Sequence, residues 1–151
     1  METNSNKNTA TLIHLSTLTQ YFIPFGNYIF PIVIWSTTRD KSEYLNAQGK
    51  QAINFQLSLF LYTLILAAIA IPVFVITFLK NTTFDGFLEH EEFFIRNLNL
   101  GNISGMVTIG IMAAILFVFM KIAEFFLIIY ASVKTANGEV FKYPLTIPFL
   151  K

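Results

Sequence analysis

The sequence predicts an all-α integral membrane protein, with two long transmembrane helices behind a membrane segment broken by proline and glycine. Three observations carry this. Residues 53–79 hold no formal charge and are flanked by Lys50 and Lys80. A second apolar run, 103–133, is interrupted only by Lys121 and Glu124. The 151-residue chain is 54% hydrophobic and 13% charged, where a soluble domain carries about 25% charged residues. About 20 apolar residues cross the hydrocarbon core of a bilayer. Buried helices of soluble proteins rarely sustain so long a run.

Composition also excludes functions. Ten Lys and Arg against nine Asp and Glu leave no basic field to attract nucleic acid. Cysteine is absent, which removes disulfides, iron–sulfur clusters and thiolate zinc sites. Residues 1–11 open polar (METNSNKNTA) and do not read as a cleaved signal, and no lipidation motif is present. The chain is expected to be mature as it stands.

The first membrane segment, 12–35, contains Pro24, Gly26 and Pro31. Proline removes a backbone donor and disfavours helix at the preceding residue. Two short helices are therefore expected, near 12–22 and 28–35, forming either a re-entrant hairpin or one kinked span. The hairpin is slightly favoured, and it needs cover from the other helices. The loop 37–51 follows, with Ser42 placed to cap a helix that has Glu43 in its first turn and runs into 53–79, and Pro72 placed to bend its outer half. The interval 80–101 is polar and acidic, with phenylalanines at near-helical spacing that suit a membrane surface or a solvated loop. The last helix, 103–137, ends at Asn137-Gly138, where Gly138 is expected in a left-handed conformation. In the tail, 139–151, Phe141, Tyr143, Leu145, Ile147 and Phe149 alternate. That row is expected to dock on the cytoplasmic ends of the helices, against Trp35 and Tyr44.

Basic residues set the orientation. Arg39, Lys41 and Lys50 lie in the first loop, and Lys134, Lys142 and Lys151 lie in or beside the tail. The interval 80–101 has only Lys80 and Arg96 among four acids. Lysine and arginine bias a loop toward the cytoplasm. Loop 37–51 and the C-terminus are therefore expected in the cytoplasm, and the protein is expected to be multi-pass in the cell inner membrane.

Inside the apolar runs, polar residues mark an interior. At 100° per residue, Gly110, Ala114, Phe117, Lys121, Glu124, Ile128, Ser132 and Thr135 share one arc. On the preceding helix, Gln51, Asn54, Ser58 and Tyr62 fall on one face, and Gln56 and Thr63 on another. An intramembrane polar cluster of Asn54, Gln56, Ser58, Lys121 and Glu124 is expected, with His14 and Gln51 secondary and Gln20 or Asn27 as further links. Ionisable groups at that depth face protein or water. They would be either structural glue, with Lys121 and Glu124 paired, or a pocket or conduit for ions, protons or headgroups. Glue is the favoured reading. His90 among Glu89, Glu91 and Glu92 makes a poor metal site, because consecutive residues do not converge on one ion. Two Asn-X-Ser/Thr sequons, at Asn81 and Asn102, arise easily by chance. No catalytic set, metal site or cofactor motif is expected.

Residues 13–62 and 131–151 resemble a family of small prokaryotic membrane proteins, domain of unknown function 4870, also called Tic-twenty-like. The resemblance rests on His14-Leu15, Pro24-Phe25-Gly26, Pro31 with Trp35, the 49–56 stretch ending Asn54-Phe55-Gln56, and Gly138-Glu139 before Tyr143-Pro144-Leu145. It implies remote similarity to a non-catalytic membrane subunit of the chloroplast inner-envelope import translocon. The expected function is then a non-enzymatic membrane subunit or accessory, of the kind that serves protein translocation or insertion. Its expected partners are lipids and other membrane subunits. The alternative is a small transporter, channel or ion-binding module using Glu124, Lys121 and Asn54. A lipid-acting enzyme has little support.

Overall fold

The computed structural model describes residues 2–81 and 105–151, and every regular element among them is helical. Helix α1 is Asn4–Ser16, α2 is Gly26–Thr38, α3 is Glu43–Asn81 and α4 is Gly105–Ala136, with 3-10 turns at Thr17–Tyr21 and Arg39–Lys41. Expectations for the interval 80–101 and its His90 cluster, for both sequons and for the first residues of the last helix fall outside the described residues.

Helix α1 begins well before the expected start near residue 12. Thr3 caps it by accepting from the Asn6 backbone N–H at 3.2 Å, so the polar N-terminus is already helical. Its buried face is Ala10, Ile13, His14 and Thr17, the spacing of one helical stripe. The break lies where Pro24 and Gly26 place it. Phe25 is left-handed at φ 61°, a conformation that costs a bulky residue about 1–2 kcal/mol. Gly26 then starts α2 so close to the 3-10 turn that a Cβ would lie 2.5 Å from Thr19 Oγ1 and 3.0 Å from the Thr19 backbone carbon. α1 and α2 pack on each other as a helical pair. Ser42 caps α3, accepting from the Tyr44 N–H at 3.1 Å.

Both long helices satisfy the length and hydropathy of membrane spans, over Glu43–Ile76 and Thr108–Ala136. Only 6% and 17% of their most apolar windows are buried within the protein. A soluble core helix would show the reverse, so both helices have the length, apolarity and outward-facing apolar surface of helices that could cross a membrane. α3 continues through Pro72 without interruption.

The chain divides into two compact units. Unit 1 is Met1–Leu61 with Lys121–Lys151, and unit 2 is Tyr62–Met120. In unit 2, Gly110 approaches Val73 so nearly that a Cβ would meet its Cγ1 at 3.2 Å. The predicted α4 arc is buried at Glu124, Ile128, Ser132 and Thr135. Farther out the arc fails. Ala114 and Phe117 are exposed and Ala113 is buried instead, where α3 is the only other described element of the unit.

The end of α4 is a Schellman turn. Gly138 sits at φ 82°, its N–H bonds the Thr135 carbonyl at 2.9 Å, and the Glu139 N–H bonds the Lys134 carbonyl at 3.1 Å.

Candidate functional site

The polar residues of unit 1 sort into three connections. The first reads the tail. The Asn54 carboxamide takes both sides of Leu150: Oδ1 accepts from its N–H at 2.8 Å, and Nδ2 donates to its carbonyl at 3.0 Å. One turn on, Ser58 Oγ accepts from the Ile147 N–H at 2.8 Å while donating to the Asn54 carbonyl at 2.7 Å. Gln51 Oε1 accepts from the Tyr143 N–H at 3.4 Å. Residues 51, 54 and 58 therefore form a polar stripe on α3 that pairs an extended, irregular backbone. An extended chain leaves its N–H and C=O groups unpaired, and this stripe satisfies them. Tyr44 adds a clamp, its hydroxyl donating to the Thr135 and Glu139 carbonyls at 3.1 and 3.2 Å.

The second connection is buried and neutral. The Tyr143 hydroxyl donates to His14 Nδ1 at 2.9 Å, and His14 Nε2–H donates to Gln48 Oε1 at 3.1 Å. Both partners are satisfied by one neutral tautomer. Burial holds the His14 imidazole down at about 4, against a smaller upward pull from the Gln48 bond. Burial likewise pushes the Tyr143 phenol up, and the negative charge of Glu124 adds to it. The Tyr143 ring stacks on Phe55 at 4.0 Å and 6°, with Phe141 edge-on at 5.0 Å. Gln48 Nε2 and Gln56 Nε2 are buried donors without a partner among the described residues.

The third connection is charged. Both Glu124 oxygens are engaged, Oε1 by Gln20 Nε2 at 2.7 Å and Oε2 by Lys121 Nζ at 2.8 Å. Lys121 also reaches Gln20 Oε1 at 3.5 Å. Glu124 is 1% exposed and the Lys121 side chain 35%, so the carboxylate is sealed while the ammonium reaches the edge.

The expected single cluster is thus divided. Lys121 and Glu124 pair with each other and with Gln20, Asn54, Ser58 and Gln51 face the tail, and Gln56 accepts from Asn27 Nδ2 of α2 at 2.7 Å. Two polar faces of one helix point to different neighbours, and they serve each separately. The apolar row of the tail is also broken. Tyr143 is buried, but Leu145 is 84% exposed because its φ of 54° turns the chain after Pro144. Gln48 carries no burial signal in the sequence. It lies six residues before Asn54, outside the apolar run where a polar residue signals burial. Among the described residues no group of three or more His, Cys, Asp or Glu is placed to hold a metal ion.

These features define a small all-helical membrane protein whose α3 and N-terminal helices bind its own C-terminal tail. The chain belongs to the magnetosome magnetite crystal formation protein family, MamF/MmsF, whose family model matches residues 5–150. No curated protein and no solved structure matches it. The match corrects the resemblance to domain of unknown function 4870, the Tic-twenty-like family. A protein-translocation role rested on that resemblance and loses its support with it.

Proposed function

We propose that this chain is a non-enzymatic, multi-pass subunit of a membrane assembly that takes part in magnetite crystal formation. The observation that carries the proposal is the family match over nearly the whole chain. The polar network supports it. Most of the hydrogen-bonding capacity of Asn54, Ser58, His14 and Glu124 is spent on the chain's own helices and tail. Such a network holds a shape for partners to recognise. In the same proposal, residues 12–35 form a re-entrant helical pair in the cell inner membrane. Loop 37–51 and the tail lie on the cytoplasmic side, following the bias of Arg39, Lys41, Lys50, Lys142 and Lys151.

The test is complementation. In a magnetite-forming host lacking its own family member, expression of this chain should restore crystal size, and its purification in mild detergent should bring other membrane proteins with it. Correct insertion with unchanged crystals would overturn the proposal. One observation favours a second reading, an ion-binding or transport module: Glu124 is a sealed carboxylate beside a half-open lysine. In proteoliposomes that reading requires an ion flux from the purified chain that Glu124→Gln abolishes.

A further inference from the structure

A cleft of about 390 Å³ lies in unit 1, where α2, the start of α3 and the end of the tail meet. Trp35, Arg39, Asn46, Lys50, Phe149 and Lys151 line it, with Asp40 at the rim. That volume suits a small-ligand site. Among the lining side chains three cations stand against one carboxylate, and that carboxylate is weakly placed. Asp40 is 91% exposed and meets Arg39 Nε at 3.8 Å, beyond hydrogen-bond length. The Arg39 guanidinium instead lies over the Trp35 ring, 5.4 Å from its centroid. Lys50 Nζ donates to the main-chain oxygen of Lys151, the last residue of the sequence, at 2.8 Å, which engages one of its three donors and part of its charge.

The wall is rigidly built. Trp35 Nε1 donates to Asn46 Oδ1 at 3.1 Å, which fixes the indole in its plane. Behind it stands Gly49, where a Cβ would strike the indole ring and come within 3.0 Å of the Trp35 Cβ. Glycine there lets tryptophan lie flat against α3.

Position identifies the kind of anion. Lys50 is three residues before the charge-free stretch that opens at Ile53, so the cleft lies at the depth where lipid gives way to headgroups. Ile32, one helical turn before Trp35 on α2, is 42% exposed, and Phe149 is 47% exposed. Charge at the mouth and apolar surface beside it match a phosphate with an acyl chain attached. We propose that this cleft binds the headgroup of an anionic phospholipid, with Arg39, Lys50 and Lys151 on the phosphate and an acyl chain against Ile32. The site is independent of the role proposed above.

Trp35 is the protein's one tryptophan, and it lines the cleft, so its emission reports occupancy directly. The experiment titrates the full chain in detergent with short-chain phosphatidylglycerol, phosphatidylcholine or inorganic phosphate while Trp35 fluorescence is read. A saturable change with phosphatidylglycerol is expected, and a much weaker one with the other two. Arg39→Gln is half-exposed and should leave the fold intact by circular dichroism. It should weaken binding roughly tenfold, the effect of losing one charge-assisted contact. Lys142→Gln, outside the cleft, should titrate like the native chain. Equal responses to phosphatidylcholine, or an equal loss from Lys142→Gln, would overturn the site in favour of diffuse surface attraction. Saturation by inorganic phosphate at the same concentrations would overturn the lipid assignment.

Discussion

Two buried clusters in unit 1 each turn on a glutamine, yet one carries charge and the other is neutral. Gln20 joins the Glu124–Lys121 pair, while Gln48 joins His14 and Tyr143. In the charged cluster, the sealed Glu124 carboxylate is tolerable only because Lys121 and Gln20 engage it. In the neutral cluster, three groups pass hydrogen bonds along a line and the imidazole must stay unprotonated. The first joins α4 to the segment between α1 and α2, and the second joins α1 and α3 to the tail. The two clusters therefore fail under different insults. Removing a charge breaks the first, and adding a proton breaks the second.

The largest effect is expected at the charged cluster. Lys121→Met should destabilise the protein by about 3–5 kcal/mol, because it strands the buried Glu124 carboxylate, and Glu124→Leu should cost less, because the Lys121 ammonium it leaves behind reaches the edge. The double variant should lose clearly less. Chemical denaturation in detergent measures all three, and additive losses would show that Lys121 and Glu124 are not coupled.

Acid tests the neutral cluster. His14 titrates near 6.5 in an unfolded chain and at about 4 in the fold. Above pH 6.5 its neutral form costs nothing and its contribution is fully present. As pH falls from 6.5 to about 4 the unfolded state takes up a proton that the native state refuses. Stability should fall through that window by up to about 3 kcal/mol and then level off. His14→Gln should flatten this dependence, as read from denaturation midpoints between pH 7.5 and 4.5. An unchanged slope would show that other groups set it.

Two glycines sharpen the picture with smaller effects. Gly49→Ala forces its methyl into the Trp35 indole and should cost about 1–3 kcal/mol, with a shift in Trp35 emission. Gly138→Ala strains a residue at φ 82° and should cost about 1 kcal/mol. There the nearest atom is Lys7 Cε, the flexible end of a side chain that can move away. Thermal unfolding followed by circular dichroism ranks the two.

Much of the scaffold was legible because lipid imposes simple rules. An uncharged run as long as 53–79 has few alternatives, and Pro24 beside Gly26 leaves a helix few ways to continue. The pairing of Lys121 with Glu124 followed from their spacing and depth. The start of α1 at Asn4 was not legible, since its capping threonine stands in a polar stretch that reads as loop. Nor was the target of Asn54. A helix face shows that a carboxamide is turned inward, but the peptide it pairs with is more than ninety residues away and sends no periodic signal. The exposed Leu145 was missed for a related reason: alternation assumes a regular strand, and one left-handed residue resets it.

The polar stripe of α3 holds the tail, and amide hydrogen exchange reads that grip bond by bond. The N–H groups of Ile147 and Leu150 belong to no helix or strand, and they bond only to Ser58 Oγ and Asn54 Oδ1 among the described residues. In the native chain at neutral pH both should exchange far more slowly than an open peptide. Asn54→Ala should release Leu150 first, with the protection of α4 unchanged. Free exchange at both amides in the native protein, or protection that survives Asn54→Ala with Ser58→Ala, would mean that the stripe does not hold the tail.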